Sequence, residues 1–189
     1  MGKLRTREAD RAGTRLIVAI SGLPGTGKTT LAQALKQTLG GEMLGFGGYV
    51  RRLARSQGGA TDRRSLQELG DALVRQDAVG FVAGAFGMVP IGWSTIVAEG
   101  VRHRSVIEAL RDHATAAYAE FAHVHLVAPP ELRRSRLIAR GETSSDALLA
   151  DDHPAEQESL AWLLCNADLC LDTDRSIDLL VAAIGARWG

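Results

Sequence analysis

The sequence predicts an α/β fold in which helices cover both faces of a parallel sheet. Three observations carry that expectation. Short apolar runs rich in β-branched residues alternate with segments of helical period from Arg15 to Trp188. The first such pair brackets "GLPGTGKT", Gly22 to Thr29, which satisfies every position of the pattern G-x-x-x-x-G-K-[ST]. Gly22 and the Glu99–Gly100 pair both close apolar strands, where a parallel sheet places its ligands.

"RLIVAI", Arg15 to Ile20, reads as the first strand, and "TTLAQALKQTL", Thr29 to Leu39, as the first helix. Leu31, Leu35 and Leu39 recur at helical spacing, and Gly40 and Gly41 form the stop. A short strand near Met43 to Phe46 leads through "GFGG" into a basic helix ending near Ser56. Asp62 to Gly87 reads as one long helical region, with Leu66, Leu69 and Leu73 on one face and any break near Gly80. Its glycines Gly80, Gly84 and Gly87 indicate close packing or a hinge.

"WSTIVAEG", Trp93 to Gly100, is the next strand and feeds a helix marked by Val106, Ile107, Leu110, Ala114 and Phe121. "AHVHLVAP" is a further core strand, and Pro130 suits the first position of the helix "PELRRSRLIAR". "GETSSDALLADDH" is polar and breaks the pattern. A helix then resumes at Pro154 and runs through Cys165, "ADLCLD" supplies the last strand and "SIDLLVAAIGARW" the last helix.

The chain of 189 residues is 46% hydrophobic, enough for one core that buries about 70% of the unfolded surface. Lys plus Arg and Asp plus Glu both number 22, so no global field favours nucleic acid or an anionic membrane, and neither is expected as a partner. Cys165 and Cys170 lack other ligands at metal spacing and read as reduced core thiols. No apolar stretch approaches the roughly 20 residues of a membrane span, and "MGKLRTREADRAGTR" has no apolar signal core, so a cytoplasmic location is expected. Residues 1–14 read as a charged, frayed leader, although Gly2 and Thr6 match the loose myristoylation pattern.

The spacing in Gly22 to Thr30 follows from phosphate chemistry. Gly22, Gly25 and Gly27 allow backbone N–H groups and a helix N-terminus to surround an anion, with Pro24, Thr26 and Thr30 completing the cradle. Lys28 then reaches the outer phosphates of a nucleoside triphosphate, and Thr29 offers its hydroxyl to Mg²⁺. Glu99, closing an apolar strand, is placed to hold Mg²⁺ through water, to orient an attacking hydroxyl or to accept its proton. Arg136 and Arg140 share a helical face, with Arg133 one turn earlier, so they suit charge neutralisation during transfer; Arg133 and Arg134 fit a solvated basic face as well. Arg51, Arg52, Arg55, Arg63 and Arg64 exceed what one triphosphate needs. An acceptor that itself carries phosphate would use some of them, with Arg51 the first choice and Arg102, which closely follows Glu99, the second.

The segments "GLPGTGKTT", "GGYVRRLA", "DRRSLQELGDAL", "IVAEGVRHRSVIEALR", "LVAPPELRRSRLIARGE" and "ADLCLDTD" together resemble the nucleoside and nucleotide kinase group of phosphate-loop proteins. Within it the chain is similar to the dephospho-coenzyme A kinase and deoxynucleoside monophosphate kinase-like members. The resemblance spans about residues 15 to 187, and only the glycine loop is specific by itself. It implies a phosphate-loop NTPase fold with a core of five parallel strands in three α/β/α layers, a kinase domain at 15–189, an acceptor-binding insert at about 47–90 and a lid at about 140–154. It also implies ATP and Mg²⁺ as cofactors, with Lys28, Glu99, Arg136 and Arg140 catalytic, Thr29 and Glu99 at the metal, Arg51 and Arg102 on the acceptor phosphate, and Asp172 to Asp174 near the adenine.

Two departures stand out: "GFGG" lacks the acid that many such kinases place after the second strand, and the lid has no arginine beyond Arg140. Asp151, Asp152 and His153 have no derivable role. A GTPase switch would need an N-K-x-D segment, and the one asparagine, Asn166, begins "NADL". An ATPase with a regulatory role and a kinase of a non-nucleotide metabolite stay open as alternatives.

Overall fold

The computed structural model describes residues 14–141 and 154–189. The expected leader, its Gly2 and Thr6, and most of the expected lid with Asp151, Asp152 and His153 lie outside the described residues.

Five strands form one parallel sheet in the order β2-β3-β1-β4-β5. They are β1 (Arg15–Gly22), β2 (Glu42–Gly45), β3 (Thr95–Val101), β4 (Ala119–Val127) and β5 (Leu169–Asp172). The helices are α1 (Lys28–Leu39), α2 (Phe46–Ser56), α3 (Arg63–Gln76), α4 (Ala78–Phe86), α5 (Arg104–Ala116), α6 (Pro130–Ala139), α7 (Pro154–Cys165) and α8 (Ile177–Trp188).

β1 occupies the centre because it is apolar on both sides. Ile17, Val18, Ala19 and Ile20 are all fully buried. Strand alternation sends Ile17 and Ala19 to a core shared with Phe46, Phe81, Ile107 and Leu110, while Leu16, Val18 and Ile20 join Leu31, Leu35, Leu180 and Ile184 on the other face. Each fully buried Ile or Leu contributes about 1.5–3 kcal/mol, so the central strand holds the two cores together. Its carboxyl end, where the glycine loop begins, is thereby the most rigidly placed point of the sheet.

Three helices, α2 to α4, stand between β2 and β3. Phe46 starts α2 rather than ending the strand, and stacks on Phe81 of α4 with ring centroids 5.2 Å apart. The long helical region divides at Asp77, not at Gly80. Asp77 ends α3 in extended backbone, and its carboxylate accepts the Gly80 N–H at 2.7 Å as the N-cap of α4. Two of the three glycines are packing positions, since a Cβ at Gly84 would collide with the Tyr49 hydroxyl and one at Gly80 with the Asp77 carboxylate.

The cysteines depart from expectation. Both are exposed: Cys165 is the last residue of α7, and Cys170 lies on β5, the edge strand whose residues alternate between half-buried and exposed. Among the described residues no helix is long and apolar enough to cross a membrane.

Changing Asp77 to Ala removes the cap at the α3–α4 corner and is expected to cost about 1 kcal/mol. A lower urea midpoint at unchanged slope would show it; an unchanged midpoint would mean that the apolar contacts alone hold the corner.

Candidate active site

β1 ends at Gly22, and α1 opens at Lys28 with Gly27 as its N-cap in the left-handed region. The intervening backbone wraps the helix N-terminus, where unpaired N–H groups favour an anion. Lys28 folds back into this cradle. Its Nζ donates to the carbonyls of Gly22 at 2.7 Å and Leu23 at 2.8 Å. Burial pushes its pKa down to about 7, helped by Arg102, Arg140 and Arg133, while Glu99 pulls the other way. A ligand bringing negative charge to this amine would reverse the cost.

The loop is clamped from α6. Gly25 has φ +80°, and a Cβ there would stand 2.6 Å from the Arg133 carbonyl oxygen, so only glycine allows this approach. Arg133 is 5% exposed and turns its guanidinium toward the Pro24 carbonyl, whereas Arg134 is exposed. The solvated-face reading therefore holds for Arg134 alone. Arg136 donates from Nη1 to the Gly25 carbonyl at 3.3 Å and to Thr173 Oγ1 at 3.0 Å, and from Nη2 to the Thr173 carbonyl at 2.7 Å. It ties the loop to the turn after β5. Arg140 caps α6 at its carboxyl end and is exposed. Thr26, Gly27, Thr30, Arg136, Arg140, Thr173 and Arg175 line an open cleft of about 380 Å³.

On the other side of the loop, β3 delivers Glu99. The register between β1 and β3 shifts after Ile20–Glu99, so that Ser21 pairs with Val101 and Gly100 is the extra residue at φ +83°. This bulge lies at the strand end that carries both acid and arginine. Glu99 Oε2 accepts a hydrogen bond from Thr29 Oγ1 at 3.0 Å. Beyond it opens a second cavity of about 390 Å³ with an apolar floor of Phe46, Val50, Val74, Phe81 and Val106 and a basic wall of Arg51, Arg63 and Arg102. His103 Nε2 and Asp71 Oδ1, 2.9 Å apart, face the same cavity.

Lys28, Thr29, Glu99, Arg136 and Arg140 are thus brought to the carboxyl ends of β1 and β3, and Arg51 and Arg102 to one cavity beside them. Thr173, at the centre of the Asp172 to Asp174 turn, reaches the cleft. Arg52, Arg55 and Arg64 are exposed and line neither cavity. Reading the sequence missed the Asp71–His103 pair, the burial of Arg133, and a buried chain in which Ser21 Oγ lies 2.7 Å from His123 Nε2 and 2.8 Å from His125 Nδ1. The histidines of "AHVHLVAP" fall two apart and so share one sheet face, which was the only available signal.

A parallel sheet in this order, with a glycine loop closing its central strand over a helix N-terminus, defines a phosphate-loop protein of the nucleoside and nucleotide kinase-like group. Residues 18–161 match AAA_18, an AAA domain family, and the chain belongs to that family. It is 30% identical over 148 residues to the cytidylate kinase of Ignicoccus hospitalis, covering 78% of this chain and 76% of that one. Among solved structures, the APS kinase CysC of Mycobacterium tuberculosis, in complex with AMPPNP and APS, superposes with a TM-score of 0.58 at 16% identity, covering 92% of this chain and 96% of that one. The shikimate kinase of Bacteroides thetaiotaomicron gives 0.57 at 16% identity, over 90% and 97%. These relatives are kinases; the structural likenesses speak for the fold.

Burial holds both His123 and His125 below the ordinary histidine range, His125 down to about 4. The unfolded chain, with histidines near 6.5, binds more protons than the folded one between those values. Stability is therefore full above about pH 6.5 and falls as pH drops toward 4. Melting temperatures at pH 7, 5.5 and 4.5 should decline, and His125→Asn should flatten part of that decline; an identical profile in the variant would remove His125 from the effect.

Proposed function

We propose that the protein is a kinase that moves the γ-phosphoryl group of ATP to a small acceptor that is a nucleotide or nucleotide-like and carries its own phosphate. The observation that supports it is a second, arginine-lined cavity in addition to the cleft at the glycine loop. The first, the cleft, is lined by Thr26, Gly27 and Thr30 and the second by Arg51 and Arg102, and Glu99, which accepts from Thr29, stands one residue before Gly100 in the lining of the second. An ATPase needs only the first.

ATP would place its phosphates against the α1 N-terminus and its base side toward Thr173 and Arg175. Lys28 would leave the Gly22 and Leu23 carbonyls for the phosphate oxygens. Arg140 would neutralise charge that develops on the transferring group, and Arg136 would hold the loop in place. In the second cavity, Arg51, Arg63 and Arg102 beside an apolar floor suit a phosphate ester whose other end is a ring. Glu99 would accept a hydrogen bond from the acceptor oxygen and align it for in-line attack.

The oxygens of Thr29 and Glu99, 3.0 Å apart, fit Mg²⁺, which takes few protein ligands and keeps waters and phosphates as the rest. Among the described residues no cluster of three or more His, Cys, Asp or Glu offers another cation site. When bound, the ion would screen the phosphate charge. That the chain is 30% identical to a cytidylate kinase further supports a nucleotide acceptor.

ADP release from ATP and Mg²⁺ should rise with one pool among nucleoside monophosphates, nucleosides and dephospho-coenzyme A, and Lys28→Ala should abolish it while leaving the melting temperature near that of the unaltered protein. Release unchanged by every pool would favour a regulatory ATPase or a non-nucleotide acceptor. Arg140→Ala is expected to lower kcat by about 10²-fold with little change in the KM for ATP. A raised KM at normal kcat would assign Arg140 to ground-state binding instead.

A further inference from the structure

Beneath the glycine loop runs a buried polar chain that the proposed chemistry does not use. Ser21, His123 and His125 are 0%, 0% and 2% exposed. Ser21 is the residue before Gly22, and it pairs in register with His125 across β1 and β4. Its hydroxyl bridges the two rings, and His123 Nδ1 lies 3.3 Å from the Asn166 carbonyl just beyond α7.

The partners determine every proton. A carbonyl only accepts, so His123 carries its hydrogen on Nδ1, and in a neutral ring Nε2 is then an acceptor. The Ser21 hydroxyl must give its one proton to that Nε2. Its oxygen is left to accept from His125, which places the His125 hydrogen on Nδ1. The direction is single: His125 donates to Ser21, Ser21 to His123, His123 to Asn166. Both rings are kept neutral by burial.

The two ends are anchored. At one, the His123 N–H donates to Asp168 Oδ2 at 2.8 Å, the Asp168 N–H donates to the His123 carbonyl at 2.8 Å, and the Asn166 side chain donates to the Trp162 carbonyl at 2.9 Å. At the other, the peptide after Ser21 is that of Gly22, whose carbonyl receives Lys28. The Ser21 side chain, held between two rings, thus belongs to the residue from which β1 passes into the loop.

We propose that Ser21, His123 and His125 are positioning residues for the phosphate loop, a one-directional hydrogen-bonded strut that sets the Gly22 carbonyl and with it the resting place of Lys28. No other described residue reaches the base of the loop from β4 by side-chain hydrogen bonds to β1. An apolar substitute would fill the space and leave the turn free to rotate. The proposal rests on the loop being the ATP site, and the test separates the two.

ATP affinity and melting temperature are measured on the full chain and on Ser21→Ala, His125→Leu and His125→Asn. The Asn amide reaches where Nδ1 of the ring stands, so His125→Asn keeps the donor to Ser21. Ser21→Ala and His125→Leu should each weaken ATP by about tenfold, as expected for a loop released from its productive geometry. His125→Asn should stay within about twofold. His125→Leu leaves an acceptor site of buried Ser21 unmet while Ser21 still donates to His123, so a modest fall in melting temperature is expected, and ATP affinity is compared at a temperature where every variant is folded. Loss of stability with unchanged ATP affinity in the folded variants would overturn the strut and leave the ATP site standing. No ATP binding by the unaltered protein would overturn both.

Discussion

Lys28 sets the terms for the rest of the structure. A primary amine is drawn out of water into a loop whose nearest charged neighbours include Arg102, Arg140 and Arg133, against the single carboxylate of Glu99. Two backbone carbonyls satisfy its hydrogens but supply no charge. Such a group is costly wherever it lies, and a fold keeps it only when the surrounding backbone is held too firmly to relax around it. The cost is returned when a polyphosphate enters, and the site selects for anions on that account.

Holding the backbone firm takes contacts from three directions. From α6, the Arg133 main chain presses on Gly25 and Arg136 reaches across to Thr173, so the loop and the β5–α8 turn move together. From β3, Glu99 meets Thr29 at the start of α1. From below, the Ser21 hydroxyl is pinned between two imidazoles. Arg136 in this arrangement does mechanical service as well as presenting charge, whereas Arg140, exposed at the end of α6, has no such duty among its described contacts.

What could be read from the sequence was what local pattern determines. The β1–loop–α1 unit is specified by adjacent residues, and the structure places the loop where the motif put it. Pro130 begins α6 because its ring suits the first turn. Misreadings arose where a decision depended on distant neighbours. Cys170 lies in an apolar run but on an edge strand, and a sequence does not say which strand is at the edge. Arg133 and Arg134 are adjacent and alike, yet only the first faces Gly25. At the α3–α4 corner a local signal was present and outweighed: the glycine drew attention from the aspartate three residues before it, whose capping carboxylate makes the break. The Ser21 contact needed the register of β1 on β4, which periodicity does not give.

The missing acid after β2 has a structural counterpart. Where "GFGG" offers no carboxylate, the Glu99 side chain comes close to Gly45, and Gly100 lies near Gly47 and Phe46. The approach to Gly45 follows from the register, since Glu99 pairs with Gly45 across β3 and β2 just before the bulge at Gly100. One carboxylate therefore stands near both the Thr29 hydroxyl and the opening toward Arg51 and Arg102. A second acid at the end of β2 would add like charge within reach of Glu99 and raise the cost of keeping either ionised. A Cβ at Gly45 or Gly47 would meet no clash, so like charge, rather than want of space, argues against an acid beside Glu99 here.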